Sequence, residues 1–468
     1  MGVLQKPGGC MGAMEVAAAR PYPPRAPQDD PLMLARERMV EHGQWHPLQS
    51  MGRRWAIGCV ALEITQRCNL DCTLCYLSDN SEAVKDIPLA EIIRRIDAIR
   101  AEYGPGTEVQ VTGGDPTLRE RSELLRIIRH IRARRMTPNL FTNGIKATRG
   151  LLAELAEAGL GDVAFHVDTT QERKGYSDEA SLHPLREEYI ARARGLGLGI
   201  IFNTTVHDGN LADIPDVAEF FVRHAADVRL ASFQLQADTG RGVAGGSQGG
   251  VSIDGVARQL QRGAGAKISF DTPLAGHADC NRHALTLVAG GAVLDLYDDK
   301  RVLAALLAET ADMKFERMAP WQGAWRFARR LATRPALARA VLPWALRKLR
   351  EFWRPFLAAR GRTHRLAFFI HDFMDAQSLD RCRVGACVFM VQTAEGPISM
   401  CVHNAKRDAF ILQPLRLEGQ DGAWNPLTGE IEAQASVTSP VLTAKNMKGR
   451  VRITRVPSAT RNRKESQP

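Results

Sequence analysis

Cys59-Val60-Ala61-Leu62-Glu63-Ile64-Thr65-Gln66-Arg67-Cys68-Asn69-Leu70-Asp71-Cys72-Thr73-Leu74-Cys75-Tyr76 is the stretch that decides the fold. Its first seven residues are mostly apolar and close on Thr65, which reads as a β-strand. Cys68, Cys72 and Cys75 follow in a C-x3-C-x2-C pattern, so three thiols sit on a loop at the strand's carboxyl end. Three thiolates on so short a loop can hold three irons of a cubane cluster and leave the fourth iron open to a small molecule. Zinc, or thiols with no shared role, are the alternatives. Structural zinc takes four ligands, commonly as two C-x2-4-C pairs. No fourth cysteine lies nearby, and His46 and His166 are far off in sequence.

One strand further on, Val109-Gln110-Val111-Thr112-Gly113-Gly114-Asp115-Pro116 ends in a glycine pair and an acid. Glycines let a backbone approach a ligand closely and offer its N–H and C=O groups without obstruction. A plain strand-to-loop turn reads the same four letters GGDP equally well. Two motifs one βα unit apart rarely agree by chance, which favours the cluster reading.

The cysteine loop and the glycine pair together resemble the radical S-adenosylmethionine (SAM) superfamily. The resemblance implies that Cys68, Cys72 and Cys75 hold a catalytic [4Fe-4S] cluster whose open iron takes the methionine part of SAM. It implies reductive cleavage of SAM to a 5′-deoxyadenosyl radical, with an electron donor such as flavodoxin or ferredoxin. Gly113, Gly114 and Asp115 match the glycine-rich motif that binds the SAM amino group, with Asp115 standing where Glu is more usual. Leu74 occupies a place often aromatic, with Tyr76 two positions on as the aromatic candidate near adenine. Asn143, Asp168, Asn203 and Thr205 lie at later strand ends, where side chains of a barrel reach the pocket mouth. In family terms Asp168 and Asn203 are contacts to the SAM ribose or carboxylate; each of these residues could also simply cap a loop.

From Trp55 strands and helices alternate through six strands, which predicts an α/β fold: a partial (βα)6 TIM-type barrel over residues 51–250. The expected strands end at Thr65, Thr112, Thr142, Val167, Val206 and Gln236. Residues 1–50 read as a weakly ordered lead-in with the Pro-rich PYPPRAPQDDP. Gly and Ser dominate 245–250, read either as a mobile loop at the barrel mouth or as a linker. Residues 251–300 carry Cys280 and a hairpin turning at Gly290-Gly291. A helical basic insert follows at 301–365, a second Cys-bearing segment at 366–445, and a basic, disordered tail at 446–468.

Cys382, Cys387 and Cys401 together with Cys280 make four thiols, enough for a full auxiliary [4Fe-4S] cluster; zinc or buried free thiols are the alternatives. The layout around them resembles the C-terminal part of the branch containing the tetraether-lipid synthases and the tetrahydromethanopterin-pterin radical methylases. Those relatives commonly carry a further Cys-rich N-terminal module, whereas residues 1–50 hold only Cys10. The resemblance implies methylation or C–C coupling of a lipid-like or pterin-like substrate, with peptide maturation or a non-catalytic electron carrier as rivals.

Nine cysteines grouped this way indicate metal ligation in a reducing compartment, so the cytoplasm is expected. Neither a signal peptide nor a membrane-spanning run is expected. The net charge of +10 is concentrated: Arg326–Arg365 holds twelve Arg or Lys against the single acid Glu351. Trp321, Trp325, Trp344 and Trp353 are interleaved, and Leu342, Leu346, Leu349, Trp353 and Phe356 share one helical face. Peripheral contact with an anionic inner membrane surface fits that segregation. A basic face simply exposed to water fits it too, and no nucleic-acid recognition motif accompanies the charge.

Overall fold

The computed structural model describes residues 9–242, 250–313 and 320–434. Six strands follow the expected alternation: β1 (Cys59–Thr65), β2 (Glu108–Gly113), β3 (Thr137–Thr142), β4 (Asp162–His166), β5 (Gly199–Val206) and β6 (Val228–Leu235). Each pairs in parallel with the next, with helices between. Alternation along β1 separates two faces. Val60, Leu62 and Ile64 point outward into the core, against Ile92, Ile96 and Ile99 of the helix Leu89–Tyr103. Those three isoleucines recur at helical spacing, which is why that helix buries one stripe. Cys59, Ala61 and Glu63 alternate with them and line a central cavity.

The rest of the sheet is built by β7 (Asn281–Ala289), β8 (Ala292–Asp295), β9 (His364–Asp372), β10 (Phe389–Gln392) and β11 (Pro397–Ser399). The order is β11-β10-β1-β2-β3-β4-β5-β6-β9-β7-β8. β9 continues the parallel run beside β6, and β10 does so beside β1. The Cys-bearing C-terminal segment is therefore part of the barrel wall on both flanks. β7 and β8 form the hairpin expected at Gly290-Gly291, laid antiparallel on β9.

Residues 9–50 differ from the weakly ordered lead-in that composition suggests. The helix Pro31–Glu41 is capped by Asp30 and buries Ala35 and Met39. Tyr22 N–H donates to the Pro397 carbonyl at 2.8 Å, and the fully buried Gln49 bonds Gln44 and Gly276. Prolines hold the segment extended, and an extended chain can strap a surface as easily as leave it. Residues 243–249, most of the Gly/Ser loop, and the tail 446–468 lie outside the described residues.

The basic insert comprises the helices Lys300–Glu309, Pro320–Thr333 and Pro335–Ala358. Leu337 and Val341 pack on Val302, anchoring the last helix. Its other face carries Leu342, Leu346, Leu349, Trp353, Phe356 and Leu357, all exposed, between 41 and 62 %. Among the described residues no helix is long and apolar enough to cross a membrane.

Candidate active site

Cys68, Cys72 and Cys75 stand together on the wall of one continuous cavity of about 1910 Å³, at the carboxyl ends of β1 and β2. None of the three is in a disulfide, and all are partly accessible. The glycine pair abuts them. At Gly113 the backbone turns to φ 134°, and a Cβ there would sit 1.9 Å from the Thr65 carbonyl oxygen. A Cβ on Gly114 would sit 2.0 Å from that of Arg67. Bare backbone lets Gly114 N–H reach the Thr65 carbonyl at 2.9 Å and Asp115 N–H reach that of Arg67 at 2.7 Å. The pair thus locks the end of β2 onto the start of the thiol loop. Tyr76 ties the loop's far end to the same place, its hydroxyl donating to the Gly113 carbonyl at 2.5 Å.

Asn143 holds the loop from β3. Its Nδ2 donates to Asn69 Oδ1 at 2.7 Å and lies 3.9 Å from the Cys68 sulfur. Asn203 and Thr205 of β5 line the same cavity, as does His166 of β4. Asp115 and Asp168, expected at the cofactor, are not on the cavity wall; both are buried and engaged by protein donors. Asp115 accepts from Thr117 N–H, from the Thr142 hydroxyl and from Asn143 N–H at 2.9 Å. Asp168 accepts from Thr205 N–H at 2.7 Å and Thr170 N–H at 3.0 Å, with His166 Nε2 at 2.6 Å. Burial opposes charge on this pair, yet mutual attraction wins: the Asp168 pKa is lowered and that of His166 raised. These acids brace strand ends and act on the cavity through Asn143 and His166.

Three residues that sequence reasoning passed over, Glu63, Arg407 and Arg241, brace the thiol loop. Glu63, inside the barrel, pairs with Arg407 at 2.6 and 2.8 Å, and Arg407 also donates to the Tyr76 carbonyl. Burial alone would raise the Glu63 pKa, but Arg407 outweighs it and, with His403, holds the carboxyl at about 2. Arg241 is buried against the thiol loop, with Nε and Nη2 meeting no nitrogen or oxygen acceptor. A buried cation of this kind calls for negative charge beside it; Glu82 meets Nη1, and cluster thiolates would supply more. Cys68 as a free thiol is pushed up to about 11, first by burial, so it needs a metal to release its proton near neutrality. Three thiols facing a roomy cavity, a close-packed glycine pair and a buried, half-paired guanidinium fit a cubane held on three sides.

The second group gathers behind the cavity wall. Cys280, Cys387 and Cys401 lie within electrostatic reach of one another: Cys387 helps raise the pKa of the other two, and Cys280 that of Cys401. Burial is the leading cause for Cys280, which rises to about 12. Arg383 Nε donates to the Cys280 sulfur at 3.2 Å. Cys382 lies on the short helix Arg381–Gly385, which also carries Arg383. Two thiols that look isolated in sequence come close as well. Buried Cys59 feels the charge of Cys387, and Cys10 pairs its backbone with Asp380. Among the described residues no three His, Cys, Asp or Glu side chains converge as on a single metal ion.

Residues 62–221 match the family model described as the Radical SAM superfamily. The chain is 28% identical over 186 residues to a 7,8-dihydro-6-hydroxymethylpterin dimethyltransferase of Methanocaldococcus jannaschii, covering 38% of this chain and 36% of that protein. It is 30% identical over 173 residues to the PqqA peptide cyclase of Bradyrhizobium diazoefficiens, covering 36% of this chain and 44% of the relative. The chain thus spans less than half the length of these curated relatives. Streptococcus suis SuiB bound to S-adenosylmethionine superposes with a TM-score of 0.34 at 14% identity, over 43% of this chain and 46% of that one. A likeness that low says nothing about the substrate.

Proposed function

We propose that this chain, which carries a radical SAM domain over residues 62–221, cleaves SAM reductively and uses the resulting radical on an unactivated C–H bond. The observation that carries the reading is the meeting of Cys68, Cys72 and Cys75 with Gly113-Gly114 at one end of a single cavity. A [4Fe-4S] cluster bound there, fed by a donor such as flavodoxin or ferredoxin, would supply the electron that opens the SAM sulfonium to a 5′-deoxyadenosyl radical. The chain's residues do the rest: the thiols hold three irons, Asn143 and Tyr76 fix the loop, and the barrel wall excludes water. The residues nearest to SAM would be Gly113, Gly114, Asn203, Thr205 and Tyr76.

Cys280, Cys382, Cys387 and Cys401 would hold an auxiliary cluster. Reconstituted protein should then contain about eight irons per chain, and Cys382→Ala with Cys401→Ala should bring it to about four, one cubane's worth. Unchanged iron content would refute that ligand set. Removing Cys68, Cys72 and Cys75 instead should also leave about four, and no loss there would refute the reading itself.

The substrate is lipid-like. The cavity runs from the thiols to apolar Leu303, Leu306, Leu307 and Phe327 of the helical insert. The same insert presents exposed Leu and Trp side chains, flanked by exposed Arg350 and Arg354, a surface suited to lying on anionic lipid. Sedimentation with anionic vesicles should capture the protein. Arg350→Gln with Arg354→Gln should weaken capture by about thirtyfold, at about 1 kcal/mol per charge near the surface. No capture by anionic vesicles would overturn the membrane reading and leave a peptide substrate, which the likeness to the PqqA peptide cyclase favours, as the alternative.

A further inference from the structure

The chain leaving β6 returns across the thiol loop. Asp238 N–H donates to Asp375 Oδ1 at 2.5 Å and Ala376 N–H to the Asp238 carbonyl at 2.9 Å, which fixes where the return begins. Gly240-Arg241-Gly242 then lies flush on Thr73–Tyr76. A Cβ on Gly240 would stand 2.3 Å from the Cys75 carbonyl oxygen, and one on Gly242 2.9 Å from that of Thr73. Only a glycine-flanked residue can enter so tight a seam, and the residue that enters is an arginine. Arg241 N–H donates to the Leu77 carbonyl at 2.6 Å, so its backbone is pinned to the loop. Its side chain is 1 % exposed; Nη1 pairs with Glu82, Nε and Nη2 meet no nitrogen or oxygen acceptor, and the Cys75 side chain is within hydrogen-bonding reach. Burial works against its charge, but attraction to Cys75, Glu82 and Asp71 prevails. Cys68 feels the same positive charge.

We propose that Arg241 is a positioning residue of the three-thiolate site, whose fixed guanidinium charge makes the bound cluster easier to reduce. The inference rests on the cluster reading and adds to it a determinant of the cluster's potential. Three thiolates carry negative charge into a partly buried site, and each further electron is resisted by the charge already there. A guanidinium held in a low-dielectric seam offsets that resistance, far more than the same charge would in water. Arginine suits the task because it stays charged whatever its surroundings. Glu82, which shares Nη1 and is 40 % exposed, tempers the effect.

The test is a redox titration followed by electron paramagnetic resonance on the reconstituted full chain without SAM, so that contacts to SAM cannot contribute. Arg241→Gln should bind iron as the wild type does, yet hold about tenfold less reduced cluster at a fixed poise, a fall of about 59 mV for a one-electron couple. Arg241→Lys, which keeps the charge, should recover most of that loss. Glu82→Gln should shift the potential the other way. An unshifted Arg241→Gln, or Arg241→Lys behaving like Arg241→Gln, would overturn the inference. If Arg241→Gln fails to take up iron, Glu82→Gln decides: a raised potential supports the inference and an unchanged one refutes it. A wild-type chain that takes up no cubane would instead refute the cluster reading, and the inference with it.

Discussion

Arg407→Ala is expected to cost about 3–5 kcal/mol of stability, the range for leaving one partner of a buried ion pair uncompensated. Glu63 and Arg407 are 8 % and 2 % exposed, and water cannot replace the lost guanidinium. The same change frees the Tyr76 carbonyl and Asn404, so the C-terminal segment loses its hold on the thiol loop. The pH dependence has a definite sign. Glu63 titrates at about 2 in the folded chain against an ordinary 4.5, so the pair's contribution is present above about 4.5 and is lost as pH falls toward 2. His403, buried and held at about 4 chiefly by burial, adds to the acid lability as pH drops below its ordinary 6.5. Urea denaturation of the iron-free chain at pH 7 and pH 4 checks this: Arg407→Ala should lose most at neutral pH and less in acid. A loss below about 1 kcal/mol at pH 7, the scale of an exposed pair, would show the bridge to be incidental.

Gly113→Ala should be nearly as damaging. The positive φ costs a side chain about 1–3 kcal/mol, and forcing a Cβ into the Thr65 carbonyl adds about 1–3 kcal/mol of overpacking, so roughly 4 kcal/mol in all. Backbone cannot rotate aside as a side chain can. The ends of β1 and β2 must part, and the thiol loop that starts three residues after Thr65 moves with them, so iron held by Cys68, Cys72 and Cys75 should be lost. Gly150→Ala is the comparison: a Cβ there meets nothing within 4 Å, and in the helix Arg149–Glu157 it should be neutral or slightly stabilising. Iron analysis and melting of the two variants side by side separate a local steric block from a general glycine effect.

Much of this was legible in the sequence because its signals are local. The C-x3-C-x2-C loop, the glycine pair and the helical spacing of Ile92, Ile96 and Ile99 each act within a few residues. What was not legible is set by pairings remote in sequence. Cys59 reads as isolated until β10 lies beside β1 and brings Cys387 near it. Glu63 reads as an odd acid in an apolar strand, and its partner is 344 residues away. Asp115 and Asp168 have the right chemistry for a cofactor, but neighbouring N–H and hydroxyl groups claim their carboxylates first. The Pro-rich lead-in shows why composition misleads: prolines fix an extended shape and say nothing of whether a surface waits for it. Arg241 could have been suspected from its two flanking glycines, a pattern that turns and linkers share.

The most direct measurement is the yield of 5′-deoxyadenosine from SAM by anaerobically reconstituted, chemically reduced protein, beside a Cys68→Ala, Cys72→Ala, Cys75→Ala chain. The account predicts steady formation by the first and none above background by the second. Reconstituted protein that holds its iron but leaves SAM intact under reduction would contradict it.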